Sequence, residues 1–167
     1  MYNGTSTLQP LTMNIHYAQQ DLPKSIFLAG PTPRSKDVAS WRPQACELLK
    51  QLGFTGTVLV PELASGAVHD SYDHQIHWEW EALNMATVVV FWVPRDLETL
   101  PAFTTNVEFG ALIASGKVVF GFPEGAPKMR YLEELAARYG VPTYPTLPDT
   151  LMAAVRRTQA PFGPSRV

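Results

Sequence analysis

Short, mostly apolar runs alternate along this chain with longer stretches in which apolar and polar residues mix at helical spacing. The runs are Ser25–Ala29, Thr57–Val60, Thr87–Val93, Val118–Phe122 and Val141–Tyr144. The first stops at Gly30-Pro31, the second at Pro61 and the third at Pro94. Apolar runs bounded by turn residues predict strands buried on both faces. Between them, Ser40 predicts a cap for a helix through WRPQACELLKQL, with Pro43 in its first turn and Gly53 as its stop. A second helix is predicted over Asp73–Met85, with Ile76, Trp80 and Leu83 recurring on its core face. The others are Val107–Ser115, capped by the Thr-Thr-Asn before it and ended by Gly116, then Tyr131–Tyr139 and Pro148–Thr158. Strands that alternate with helices imply a parallel sheet covered on both faces. The expected fold is a single α/β, flavodoxin/Rossmann-like doubly wound parallel sheet of about five strands in the order 2-1-3-4-5. Residues 1–23 read as an N-terminal arm, 24–160 as the domain and 161–167 as a tail.

Composition narrows the partners. The 167 residues suit one domain, and a net charge of -2 leaves no basic excess to neutralise a nucleic acid polymer. One nucleotide-sized ligand stays within reach. Cys46 is the single cysteine and falls among leucines in the first helix, where it reads as a small buried apolar residue. No apolar run reaches about 18 residues, so no membrane span is expected. The first residues lack a basic-then-apolar signal pattern, and the cytoplasm is the expected address. His69, His74 and His77 complete no metal-ligand spacing, and neither GxGxxG, a P-loop nor GxSxG is present. No metal or cofactor is called for.

Candidate chemistry follows from topology. Doubly wound sheets bind ligands beyond the carboxyl ends of their strands, where strand order reverses. The first strand delivers Gly30, Pro31 and Arg34 there, the second Glu62, and the third Arg95 and Asp96. The helix before the third strand carries Gln75, Trp78 and Glu79, and the helix after it carries Asn106 and Glu108. Trp78 and Trp92 read as core residues by type, yet lie near the active edge where they could stack on a base, and Arg34 and Arg95 read either as surface ion-pair partners or as holders of a phosphate or sugar oxygens. Glu108 in a first helical turn is kept ionised by the helix dipole, as a nucleophile needs. The same spacing, Thr105-x-x-Glu108, also fits a capping box, and both readings stand. Glu79 lies between two tryptophans in WEWE, placed to donate a proton to a leaving base. Paired carboxylates at an anomeric carbon are what glycosyl transfer requires.

The segments SIFLAGPTPR, WEWEALNMATVVVFWVPRD and FTTNVEFGALIASGKVVFG together resemble the nucleoside 2-deoxyribosyltransferase-like family. The likeness rests on a first strand ending in A-G-P, an acidic residue in the helix before strand 3, an E-x-G helix start and a G-K-x-V strand. It implies that Glu108 attacks the anomeric carbon to form a covalent deoxyribosyl-enzyme, and that Glu79 binds or protonates the base. Phe27 stands where better-known members carry a tyrosine, and Ala102 where they carry an aspartate six residues before the glutamate. Phe103, Thr104, Thr105 and Asn106 are then expected to line the sugar site. The implied reaction moves 2-deoxyribose between nucleobases. The alternatives are hydrolysis of (deoxy)nucleosides or their 5-monophosphates, and a non-catalytic nucleotide-binding or sensor module. The expected partners are a nucleoside or nucleotide and a free base, within a homo-oligomer.

Overall fold

The computed structural model describes residues 24–62 and 72–159, Tyr72 by its backbone alone. The arm at 1–23, the tail at 161–167 and the loop at 63–71 lie outside the described residues. In chain order the elements are β1 (Ser25–Ala29), α1 (Arg42–Gln51), β2 (Thr57–Leu59), α2 (Tyr72–Met85), β3 (Val88–Trp92), α3 (Phe103–Leu112), β4 (Val118–Gly121), α4 (Arg130–Arg138), β5 (Thr143–Tyr144) and α5 (Leu147–Gln159). The sheet has the order β2-β1-β3-β4-β5, every pair parallel, as the alternation predicts. No helix among the described residues is long and apolar enough to cross a membrane.

β1 and β3 lie at the centre, paired from Ile26↔Val88 to Ala29↔Phe91, and are buried along their whole length. Side chains of a strand alternate between faces, so the two strands divide their residues by parity. Ile26, Leu28, Val88, Val90 and Trp92 pack with Trp41, Ala45 and Leu49 of the α1 side and Leu151 and Ala154 of α5. Phe27, Ala29, Val89 and Phe91 pack on the other face with Ala82 and Leu83 of α2, Phe109 of α3 and Leu132 of α4. At the lower end of the sheet, Ser25 and Thr87 exchange backbone-to-hydroxyl bonds of 3.1 and 3.0 Å.

Three local expectations are corrected. α3 begins at Phe103, four residues before the predicted Val107, and its cap is Ala102 in the left-handed conformation at φ 60°. The Thr-Thr-Asn segment is therefore inside the helix and caps nothing, and Thr105 with Glu108 forms no capping box. β5 is shorter than predicted because Val141 and Gly140 donate to the carbonyls of Ala136 and Ala137, which closes the end of α4. Trp80, expected in the core, is 65% exposed. Trp78 takes the inward place instead, its ring 6.2 Å from that of Phe27.

Gly30 ends β1 at φ 152°, where a Cβ would lie 2.2 Å from the carbonyl oxygen of Trp92 and 2.8 Å from the Trp41 ring. Gly30→Ala is expected to cost about 3 kcal/mol, combining backbone strain with an immovable contact. Gly125 also has positive φ but open space around it, so Gly125→Ala should cost about 1 kcal/mol. Urea unfolding of the two variants measures the difference, and equal losses would remove the steric argument.

Candidate active site

Beyond the carboxyl end of β1 the α2–α3 face opens into a cleft of about 810 Å³. One wall is β1 and the loop after it, from Phe27 and Ala29 through Gly30, Pro31 and Thr32 to Arg34. The second is α2, through Gln75, Ile76, Glu79, Trp80 and Leu83. These positions recur every four residues along one stripe of the helix. The third wall is the start of α3, from Ala102 through Phe103, Thr104 and Thr105 to Val107 and Glu108. Glu79 and Glu108 are the acids among the lining residues and Arg34 is the cation.

Glu108 occupies the second turn of α3, past the free N–H groups at the helix start. The dipole that the sequence reading assigned to it acts one turn earlier. Its carboxyl is instead raised to about 7, first by burial, then by the negative charge of Glu79, while the Arg42 guanidinium pulls it back down. Gln75 donates from Nε2 to Oε1 of Glu79 at 2.9 Å, which orients that carboxyl and leaves its second oxygen for the cleft. Thr105 is 3% exposed, yet borders the cleft beside Glu108. Arg34 stacks its guanidinium over the Phe103 ring at 5.3 Å, and its backbone N–H donates to Thr99 O at 3.2 Å. That bond ties the β1–α1 loop to the β3–α3 loop. Asp96 stabilises the second loop by accepting from the N–H of Glu98 and from the N–H and hydroxyl of Thr99, bonds that hold its carboxyl below the usual range.

Arg42 lies under the first wall with 1% of its surface exposed. Its Nε donates to Leu28 O at 3.0 Å, Nη2 to Gly30 O at 2.7 Å, and Nη1 to the Thr32 hydroxyl at 3.1 Å and to the Glu62 carboxylate. Burial lowers the pKa of this guanidinium, and the charge and hydrogen bond of Glu62 oppose that shift. Trp41 joins the same corner, donating from Nε1 to Pro31 O at 3.2 Å.

Of the residues the sequence singled out, the structure gathers Phe27, Gly30, Pro31, Arg34, Gln75, Glu79, Phe103, Thr104, Thr105 and Glu108 around this cleft. Six others lie elsewhere, among them Asp96, whose carboxylate is held within the β3–α3 loop. Glu62 is held by Arg42. Trp78 packs behind Phe27 in the core. Trp92 shares the parity of Val88 and Val90, so it faces α1 and α5 on the opposite side of the sheet. Arg95 is buried, donating from Nη1 to Lys128 O at 2.8 Å and from Nη2 to Oδ1 of Asn106. That pairing turns both Arg95 and Asn106 away from the lining. Trp80, Val107 and Leu112 border the cleft without having been anticipated, and so does Thr32. Arg42 was also missed, since a charged residue near a helix start reads as a surface position. No local sequence signal marked it, because its partners at Leu28, Gly30, Thr32 and Glu62 are all distant in sequence. Among the described residues no group of three or more His, Cys, Asp and Glu is placed to hold a metal ion.

Residues 23–126 match the family model described as nucleoside 2-deoxyribosyltransferase like. A conserved protein from Enterococcus faecalis V583 shares the fold with a TM-score of 0.56 at 14% identity, covering 80% of this chain and 98% of its own. A 2-deoxyribosyltransferase from the psychrotolerant bacterium Bacillus psychrosaccharolyticus does so with a TM-score of 0.54 at 19% identity, covering 78% of this chain and 95% of its own. No curated protein matches the sequence. The family match takes in β1 to β4 and every residue that lines the cleft. The chain therefore belongs to the nucleoside 2-deoxyribosyltransferase-like family.

Proposed function

We propose that this protein cleaves the N-glycosidic bond of a 2-deoxynucleoside and transfers the deoxyribosyl group to a second base through a covalent intermediate on Glu108. The observation that carries the reading is the pair Glu79 and Glu108, brought from two helices to one largely apolar cleft. A Glu108 carboxylate oxygen bonds to C1′ as the C1′–N bond breaks, and the electron pair leaves with the base, which takes a proton from Glu79. An incoming base then attacks C1′ from the vacated side. Its proton goes to Glu79, the ester bond breaks, and the Glu108 carboxylate is restored with retained configuration. The cycle needs Glu108 ionised and one proton on Glu79 at the moment of attack. Burial and the charge of Glu79 raise the Glu108 carboxyl to about 7, so the ionised nucleophile becomes available as pH rises through that value.

A second reading rests on Arg34. It is the cation among the lining residues and stands beside Thr104 and Thr105 at the start of α3. Those groups suit a phosphate, and with water as acceptor the same chemistry would hydrolyse a nucleoside 5-monophosphate. The exposed Trp80, Phe103 and Val107 beside the cleft support assembly with further copies of the chain.

Incubation with the common 2-deoxynucleosides, with and without a second free base, is expected to yield the exchanged nucleoside. Free sugar formed at a rate independent of the added base would establish the hydrolase instead. Glu108→Gln should lower turnover by at least ~10³-fold, and Glu79→Gln by ~10²–10³-fold through slower base departure. A 2-deoxy-2-fluoro nucleoside should leave a glycosyl adduct on the tryptic peptide 96–117, which carries Glu108. An adduct on peptide 51–95, which carries Glu79, would reverse the two roles.

The titration of Glu108 has opposite effects on activity and stability. Its pKa in the folded chain is raised from 4.5 to about 7. Its stabilising contribution is thus complete below about pH 4.5 and is lost as pH rises through 7. Nucleophilic activity should climb through the same window. Glu108→Gln should therefore be more stable than the parent at pH 8, by on the order of 2–3 kcal/mol, with little difference at pH 4.5. Urea unfolding at the two pH values reads this directly, and a difference that does not depend on pH would exclude the linkage.

A further inference from the structure

We propose that Arg42 is the positioning residue of this cleft: its hydrogen bonds set the Gly30–Thr32 wall, and its buried charge, paired with Glu62, acts across that wall on Glu108. The proposal rests on the nucleophilic role given to Glu108 above. Arg42 is too buried to touch a substrate, at 1% exposure. It acts through what it holds. The Gly30 carbonyl and the Thr32 hydroxyl that it bonds both belong to cleft-lining residues. Leu28, whose carbonyl it also bonds, is the neighbour of Phe27 and Ala29 in β1.

The charges around Glu108 are few. Glu79 faces it from α2, and Arg42 acts on it from α1. Glu62, at the end of β2, lies behind Arg42 as its ion-pair partner. Arg34, on the β1–α1 loop, shares the cleft. β1 contributes Phe27 and Ala29, and α3 itself contributes Thr104, Thr105 and Leu112, none of them charged. Arg42 is thus the buried cation that offsets Glu79, and its field reaches Glu62, Glu79 and Glu108 together. Weakening Glu62 must strengthen the effect of Arg42 on Glu108, and neutralising Arg42 must abolish it. The two changes should move Glu108 in opposite directions.

The test compares the full chain with Glu62→Gln, Arg42→Lys and Arg42→Met. Glu108 is followed by carboxyl-carbon NMR without substrate, and release of base from 2-deoxynucleosides is followed against pH. Glu62→Gln is expected to lower the Glu108 midpoint and carry the acid limb of activity down with it. Arg42→Met should raise both, on the order of one pH unit. Arg42→Lys keeps the charge but not the planar fork, so its midpoint should stay near that of the parent while kcat falls. A Glu108 midpoint that is unmoved in Glu62→Gln and in every folded Arg42 variant overturns the proposal. So does loss of activity at all pH values with an unmoved acid limb in Arg42→Met, since that is what a merely structural arginine predicts. Should Arg42→Met fail to fold, Glu62→Gln and Arg42→Lys decide the matter. Because the NMR midpoint is read without turnover, activity that survives Glu108→Gln would sink the proposed reaction while leaving the Arg42 effect measurable.

Discussion

A parallel strand that stops inside a protein leaves carbonyl groups without ladder partners, and buried carbonyls must find donors. At the end of β1 the carbonyls of Leu28 and Gly30 are met by one guanidinium, that of Arg42. Its planar fork suits this task, because several N–H groups diverge from a rigid centre toward acceptors on different residues. Burying the guanidinium is itself unfavourable, and the Glu62 carboxylate and the Trp41 ring 5.0 Å away compensate for it. Breaking such a buried pair from one side costs about 3–5 kcal/mol. The cleft therefore has one rigid wall, made on the α1 side of the sheet and presented on the α2 side. Gly30 makes this possible, since its backbone crosses between Trp41 and the Trp92 carbonyl where no Cβ fits.

The two faces of the sheet divide the work. On the α1–α5 face the packing is continuous, with Trp41, Trp92, Leu49 and Leu151 in one cluster. On the other face Phe109 packs edge against face with Phe91 and at a tilt with Phe120, but α2 and α3 separate near the carboxyl end of β1 and leave the cleft. Space left in a core is unfavourable, and a carboxyl placed in it adds desolvation. Glu108 carries that penalty. Its raised carboxyl is the trace of that penalty.

How much of this was legible in the sequence follows from the same physics. Strand existence and order come from period and topology, and those readings survive, with a cleft at the edge they point to. Glu79 and Gln75 were legible because both lie on one stripe of a long helix. Trp92 was misplaced because proximity to the active edge was weighed without parity, although its spacing from Val88 and Val90 already puts it on the far face. Ala102 defeated the capping prediction. A side chain without hydrogen-bonding capacity gives no sign that its backbone turns into the left-handed region, so α3 was started a turn late and Glu108 was given a helix end it does not have. Arg42 was illegible for a different reason. Its partners are backbone carbonyls distant in sequence, and no local pattern announces them.

Ala102 and Phe27 also bear on how the proposed reaction is distributed over the cleft. An alanine at φ 60° costs roughly 1 kcal/mol relative to its ordinary conformations, and aspartate or asparagine tolerates that region better. The backbone thus keeps a shape suited to a polar side chain while presenting a methyl group to the cleft. Phe27 likewise keeps an aromatic ring at the β1 wall without a hydroxyl. Both positions give the cleft an apolar lining, and burial is the leading cause of the raised Glu108 carboxyl. Besides Glu108, the polar groups lining the cleft are the hydroxyls of Thr32, Thr104 and Thr105, the Gln75–Glu79 pair, Asn84 and Arg34. In the proposed reaction, what opposes the burial of the Glu108 carboxylate is the charge of Arg42, held behind the β1 wall.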